Sequence, residues 1–327
     1  MSTRFRMLLM AGVALLVTSC SAHAPGSQPM QLPAETLLPP GAAEITSTPD
    51  QRGSDTCDAT ASLRPGVQPR PGDMPAGSTM AAILARGKLR VGVDQNSFMF
   101  GYRNPANGQI EGFDIDIARE IARDIFGDPD RVELQPLDSA HRITALQPDQ
   151  GNQQVDIVVE TLTPTCERRK SIEFSSAYFV SDQRLLVPNN SGIRSTADLA
   201  GKKVCGVVGT ITLNPILALP QRPTVIGMSN WLDCLTALQQ GQVAAVSTDT
   251  PILYGLKQQD PNLDMVGDAL AQDPYAVGIQ QDRKDLVRFV NGVLERIRGD
   301  GTWQRLYSAR LAALGPAAGP PAPRYIG

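Results

Sequence analysis

Arg168 carries the most specific chemistry in this sequence. A guanidinium presents a planar fork that matches a carboxylate with two parallel N–H bonds. Ahead of it, Thr163-Pro164 has the residue types that begin a helix, threonine at the N-cap and proline at the first helical position. A helix start turns unpaired N–H groups toward an anion, so a helix beginning there and an anion site beside Arg168 are expected. Arg169 and Lys170 follow directly, and read alone the run is equally a solvated basic face. A second guanidinium, Arg142, stands in Asp138-Ser-Ala-His-Arg-Ile143 on an expected helix, Ala140–Leu146, where a surface arginine is the plainer reading. Glu160, beside Thr161, is the one acid/base candidate, and general acid–base chemistry needs such a group poised in a cleft. No nucleophile–histidine–aspartate arrangement accompanies it, and no phosphate-binding glycine-rich loop. Cys57, Cys166, Cys205 and Cys234 stand far apart, with His23 and His141 the only histidines, so neither a metal nor another cofactor is expected.

Short strands and helices alternate around these residues. Lys88–Val93, Val132–Gln135 and Val155–Val159 read as strands, and Phe113–Phe126 has the periodicity of an amphipathic helix. A second series follows: strand Lys203–Val208, a helix from about Trp231 to Gln240, and strand Val243–Val246. Alternation of this kind predicts an α/β architecture with mainly parallel sheets. No internal repeat is visible.

The ends differ from this middle. Arg4 and Arg6 precede the apolar run Met7–Val17, about eleven residues against the roughly twenty that span a bilayer. That pattern is a secretory signal, residues 1–19. Val17-Thr18-Ser19-Cys20 resembles the bacterial lipobox, which makes Cys20 the expected lipidation site and anchors the protein to the outer face of the cell membrane. Residues 20–78, rich in Pro, Gly, Ser, Ala and Gln, read as a tether spanning on the order of 40 Å, pinned to the globular body through Cys57. Residues 313–327 read as a Pro-rich tail with few donors for a sheet. A net charge of −3 with scattered basic residues leaves no footprint for nucleic acid. Of five cysteines, the four beyond Cys20 suggest two disulfides with three possible connectivities.

Gly112-Phe-Asp-Ile-Asp116, Ala145-Leu-Gln147 with Val155-Asp156, Glu167-Arg-Arg-Lys170 with Phe174-Ser175 and Tyr178, Asp198–Val204, Gly209-Thr210, Ala245-Val246 with Asp249, Asn291-Gly292 and Gly301-Thr-Trp303 together resemble the family 3 extracellular solute-binding proteins. These are the polar amino-acid receptors of ABC importers, and the likeness is greatest to glutamate- and glutamine-binding lipoproteins. The resemblance covers about residues 83–312. It implies a type II periplasmic-binding-protein-like α/β fold, with lobe 1 at 83–186 plus 251–312, lobe 2 at 187–250, and a ligand cleft between lobes joined by two crossover strands. Arg168 matches the family's α-carboxylate clamp, Thr161 and Thr163 match residues that meet the ligand's ammonium and carboxylate, and Asp249 matches the acid that pairs with the ammonium. Thr210, Ile211 and Thr212 are implied to cover the carboxylate from lobe 2, although the family often has glycine where Ile211 stands. Ser139 and Arg142 resemble the side-chain reader of glutamate and aspartate binders, while Glu160 argues for an amide or a cation unless it pairs with an arginine. Phe98, Phe100 and Tyr102 occupy the loop that walls the ligand with an aromatic ring, and Asp94 closes the strand before it. With the lobes so placed, Cys205 and Cys234 share lobe 2 and are paired, which leaves Cys57 with Cys166. The implied function is extracytoplasmic binding of glutamate or aspartate, with glutamine or asparagine as further ligands, by a monomer that serves an ABC permease. The other readings are a carrier that presents its ligand to a membrane sensor, and a cyclohexadienyl-acid lyase.

Overall fold

The structure is a computed structural model that describes residues 38–48, 57–148 and 154–326. The expected signal segment and the expected lipidation site Cys20 lie outside the described residues. Two sheets organise the rest. In the first the strands run in the order Val132–Pro136, Leu89–Val93, Ile157–Val158, Gly278–Gln280, Ile172–Phe174. Its first three strands are parallel and Gly278–Gln280 runs antiparallel to both neighbours. Leu89, Val91 and Val93 are fully buried, and Gly92 fits because a Cβ there would meet the Leu137 side chain at 2.4 Å. Helix Phe113–Phe126 lays Phe113, Ile117, Ile121 and Ile125 on this core and stops at Gly127, whose φ of 75° terminates a helix without strain. Helices Lys284–Gly299 and Thr302–Arg310 complete the same core.

The second sheet runs Ala43–Glu44, Thr224–Met228, Lys203–Val207, Ala245–Asp249, Phe179–Pro188, Leu263–Val266. Its three middle strands after Ala43–Glu44 are parallel, and the flanking strands are antiparallel. Helices Trp231–Gln239 and Thr250–Gln259 contribute to one core cluster, and the short helix Leu213–Leu217 to another. Cys205 is bonded to Cys234 inside this lobe, and Cys57 to Cys166 on the first. Both sheets thus hold parallel strands at their centres, each covered by helices, as α/β layering requires.

One long strand joins the two lobes. The Phe179–Asp182 half of Phe179–Pro188 pairs with Gln272–Tyr275, whereas Gln183–Leu186 pairs with Val246–Asp249 of the second sheet. The return crossing is therefore Gln272–Tyr275, not the 250/251 junction. Residues 251–266 belong to the second lobe, where Ile252, Leu253, Leu256 and Leu263 are core. Thr250-Pro251 opens a helix that folds back on the strand it leaves, so the composition shows no break there.

Four other expectations change. Ala140–Leu146 is not an α-helix but two 3-10 turns, Ser139–His141 and Thr144–Leu146, short pieces of the kind that tight connections favour. No helix starts at Thr163-Pro164: the chain continues without regular structure through Thr165, whose hydroxyl accepts from the Arg168 amide at 3.1 Å above a single 3-10 turn, Arg168–Lys170. The segment 38–78 lies largely on the body. Ala43–Glu44 extends the second sheet, Ser62–Leu63 pairs with Tyr325–Ile326, and Ser78 caps helix Thr79–Arg86. Buried Asn291 ties this wrap down, accepting from the Ser176 amide at 2.7 Å and donating to Ser62 Oγ at 2.8 Å and to the Leu63 carbonyl at 2.7 Å. The tail takes part in that sheet because its prolines precede Tyr325, which leaves the last residues their donors.

Candidate functional site

Parallel strands of both sheets end facing one another, the place where open α/β sheets bind ligands. Strand Ile157–Val158 runs on into Glu160–Thr165, Lys203–Val207 into Gly209–Thr212, and Ala245–Asp249 ends on its own aspartate. The enclosed space between them is lined by nine of the expected residues: Ser139, Arg142, Thr161, Thr163 and Arg168 from the first lobe, and Thr210, Ile211, Thr212 and Asp249 from the second. Trp231, Thr248 and Ile252 complete the wall. The lobes are shut so far that the space accommodates little more than one water molecule.

Two guanidiniums close it. Arg168, 6% exposed, donates through Nη1 to the Thr163 carbonyl at 2.7 Å and through Nη2 to the Gly209 carbonyl at 2.9 Å. Arg142 donates through Nε to Ser139 O at 3.0 Å, through Nη1 to Glu160 O at 2.9 Å and through Nη2 to the same Gly209 O at 3.0 Å. Only 3% exposed, it is a wall of the site and no surface arginine. The Gly209 carbonyl thus collects both first-lobe arginines across the cleft. Glycine is required there: φ is 82°, and a Cβ would stand 2.5 Å from Ala140 Cα of the facing turn.

Asp249 brings the opposite charge. Its Oδ2 accepts from the Tyr275 hydroxyl at 2.8 Å, so the carboxylate is oriented by the strand that returns to the first lobe. Burial beside this carboxylate holds the Tyr275 hydroxyl well above its ordinary pKa. Thr161 adopts φ 42°, a left-handed conformation that costs a β-branched residue energy. Its amide is held by Asp114 Oδ2 at 2.8 Å, while Asp114 Oδ1 accepts from Tyr178 OH at 2.7 Å. Burial raises the Asp114 carboxyl to about 7 against those two hydrogen bonds. Asp114 and Tyr275 are positioning residues whose roles were not expected: Asp114 stands in the Gly112–Asp116 motif, a signal that could have found it, while Tyr275 stands one strand behind Asp249, where no spacing marks it. Trp231 opens a helix just beyond the parallel strand Thr224–Met228, and that location is the signal that could have found it.

Four expected residues do not line the space. Phe100 is fully buried among Phe113, Phe179 and Tyr275, with ring centroids 5.3–5.8 Å away, as part of the first core. Phe98, 37% exposed, meets the Tyr102 ring at a tilt, centroids 4.9 Å apart, and lies against Gly255 of the second lobe, outside the enclosed space. Asp94 is taken up by its own turn, accepting from the Gln95 and Asn96 amides at 2.6 and 2.9 Å and from the Ser97 hydroxyl. Glu160 lies behind Arg142, its Oε1 3.9 Å from Nε.

The sequence profile of the bacterial extracellular solute-binding proteins, family 3, matches residues 89–310. The chain is 36% identical over 230 residues to the ABC transporter glutamine-binding protein GlnH of Bacillus subtilis, covering 70% of this chain and 83% of that one. It is 29% identical over 252 residues to the glutamate-binding protein GluB of Corynebacterium glutamicum, covering 73% and 84%. Among solved structures it resembles a solute receptor for L-cysteine of Neisseria gonorrhoeae, with a TM-score of 0.68 at 26% identity over 72% of this chain and 94% of that one. The two-lobed fold, the strand-end cleft and the matched span agree, and the chain belongs to the bacterial extracellular solute-binding proteins of family 3.

Proposed function

We propose that the protein is an extracytoplasmic receptor for a polar L-amino acid of the glutamate/glutamine type, which it delivers to an ABC importer. The observation that carries this reading is the placement of Arg168 and Asp249 on opposite lobes around one enclosed space. A zwitterion bridges them: its carboxylate takes the place of the Gly209 carbonyl on the guanidiniums, and its ammonium meets Asp249. Hydrogen bonds to charged groups contribute about 1.5–3 kcal/mol each, so a few of them supply the roughly 8 kcal/mol of micromolar binding. The relatives' names agree, one binding glutamine and one glutamate. The protein acts as a binding protein rather than an enzyme, as a monomer held to the membrane through lipid at Cys20.

Calorimetric titration with each of the twenty amino acids tests this. Glutamate or glutamine is expected to bind at about micromolar strength or tighter, and Arg168→Ala to lose every amino acid, because all share the α-carboxylate. Normal binding by Arg168→Ala would place the site elsewhere.

A further inference from the structure

Behind Arg142 lies a carboxylate that neither the fold nor the site accounts for. Glu160 is 1% exposed, and neither of its carboxylate oxygens has a hydrogen-bond partner among the described residues. Arg142 Nε stands 3.9 Å from its Oε1, too far for a hydrogen bond, and three of the Arg142 N–H groups go to backbone carbonyls instead. The charged groups around Glu160 are Arg142, Asp94, Asp114 and Asp138. Asp94 is satisfied within its turn, and Asp114 by the Thr161 amide and the Tyr178 hydroxyl. Asp138 is exposed, with His141 at 3.9 Å. Glu160 is the member of this group that receives no donor, although it stands nearest the guanidinium that faces the ligand.

We propose that Glu160, by holding or releasing a proton behind Arg142, sets whether the pocket prefers an acidic or an amide side chain. The inference rests on the reading of the site as a receptor for glutamate-type amino acids. With Glu160 protonated, the charge of Arg142 is uncompensated and attracts a ligand carboxylate. With Glu160 ionised, the pair is neutral and an amide is preferred. Burial, with the three neighbouring carboxylates, holds this proton well above the ordinary carboxylate range, and Arg142 only partly opposes that. A second negative charge near Arg142 competes with ionised Glu160, so binding glutamate draws a proton onto it and binding glutamine does not. The affinity for glutamate therefore falls as pH rises through the titration of Glu160. Asp114, held at about 7, also lies within the electrostatic reach of Arg142 and Glu160, so its contribution is separated by removing its charge.

The test is calorimetric titration of the purified protein with glutamate and with glutamine between about pH 5.5 and about pH 8.5, in buffers of different ionisation enthalpy. Glutamate is expected to weaken by about tenfold or more across the range with net proton uptake, and glutamine to change by about twofold at most. Glu160→Gln should flatten the glutamate profile and abolish the uptake, its glutamine affinity reporting that it is folded. Asp114→Asn should keep the difference between the two ligands. Identical pH profiles for both ligands in the unmodified protein, or a glutamate slope that survives Glu160→Gln, would overturn the inference. Failure of both ligands to bind at every pH would overturn the receptor reading and this inference with it.

Discussion

Gly209 has no side chain to offer, yet Arg142 and Arg168 both reach its carbonyl from the opposite lobe. Its φ of 82° and the 2.5 Å from its would-be Cβ to Ala140 Cα separate two effects of adding one methyl group. The positive φ disfavours alanine by about 1–2 kcal/mol whether the lobes are open or shut. The clash exists only when they are shut. Gly209→Ala is therefore expected to weaken amino-acid binding by about tenfold or more, beyond what its urea stability without ligand records. Unchanged affinity would show that closure does not bring these two turns together when a ligand is bound. At this scale the sequence was informative wherever a residue type has one use in a cleft. Arg168, Asp249 and the Thr210–Thr212 loop all line the space, and a guanidinium and a carboxylate in one cleft are the residue types that the proposed zwitterion needs. Phe98, Phe100, Asp94 and Glu160 were not separable from the lining, since aromatic residues serve cores equally and an aspartate can close its own turn.

Elements were legible in proportion to their length and periodicity. Phe113–Phe126 has the bounds its pattern predicts, because fourteen residues of helical spacing end at a glycine. The turn that ends at Arg142 and the one that begins at Arg168 are three residues each, below the length at which periodicity exists. The two disulfides tie elements together at different ranges, 109 and 29 residues apart in sequence. In the chain-entropy model loops of these lengths stabilise by about 5 and about 3.5 kcal/mol respectively. Cys57→Ser with Cys166→Ser is thus expected to lower the urea unfolding free energy more than Cys205→Ser with Cys234→Ser does, by about 1 kcal/mol. The longer loop closes the N-terminal wrap onto the first lobe, where Asn291 also holds it. The opposite order would show that constraint within the second lobe matters more than loop length.

For the whole molecule, composition marked where regular structure stops but not what the irregular segments touch. Proline, glycine and serine predict a tether over 20–78, yet two-residue strands suffice to lay 43–44 on one sheet and 62–63 against 325–326. Such short pairings carry no periodicity and depend on partners more than two hundred residues away in the case of Ser62–Leu63. The second crossing was displaced for a related reason: a helix that returns to its own lobe looks the same in sequence as one that leaves it. With the lipid proposed at Cys20, these contacts limit the chain that can separate the body from a membrane. Residues 21–37 span at most about 60 Å when fully extended. Among the described residues no helix is long and apolar enough to cross a membrane, and the attachment proposed above is lipid at Cys20. Cys20→Ser is expected to release the folded receptor into the medium with its amino-acid affinity unchanged, because no residue lining the cleft precedes Ser139. Fractionation followed by calorimetry checks both halves of that expectation. A Cys20→Ser protein that stays with the membrane would mean that another surface, and not the lipid, holds it there.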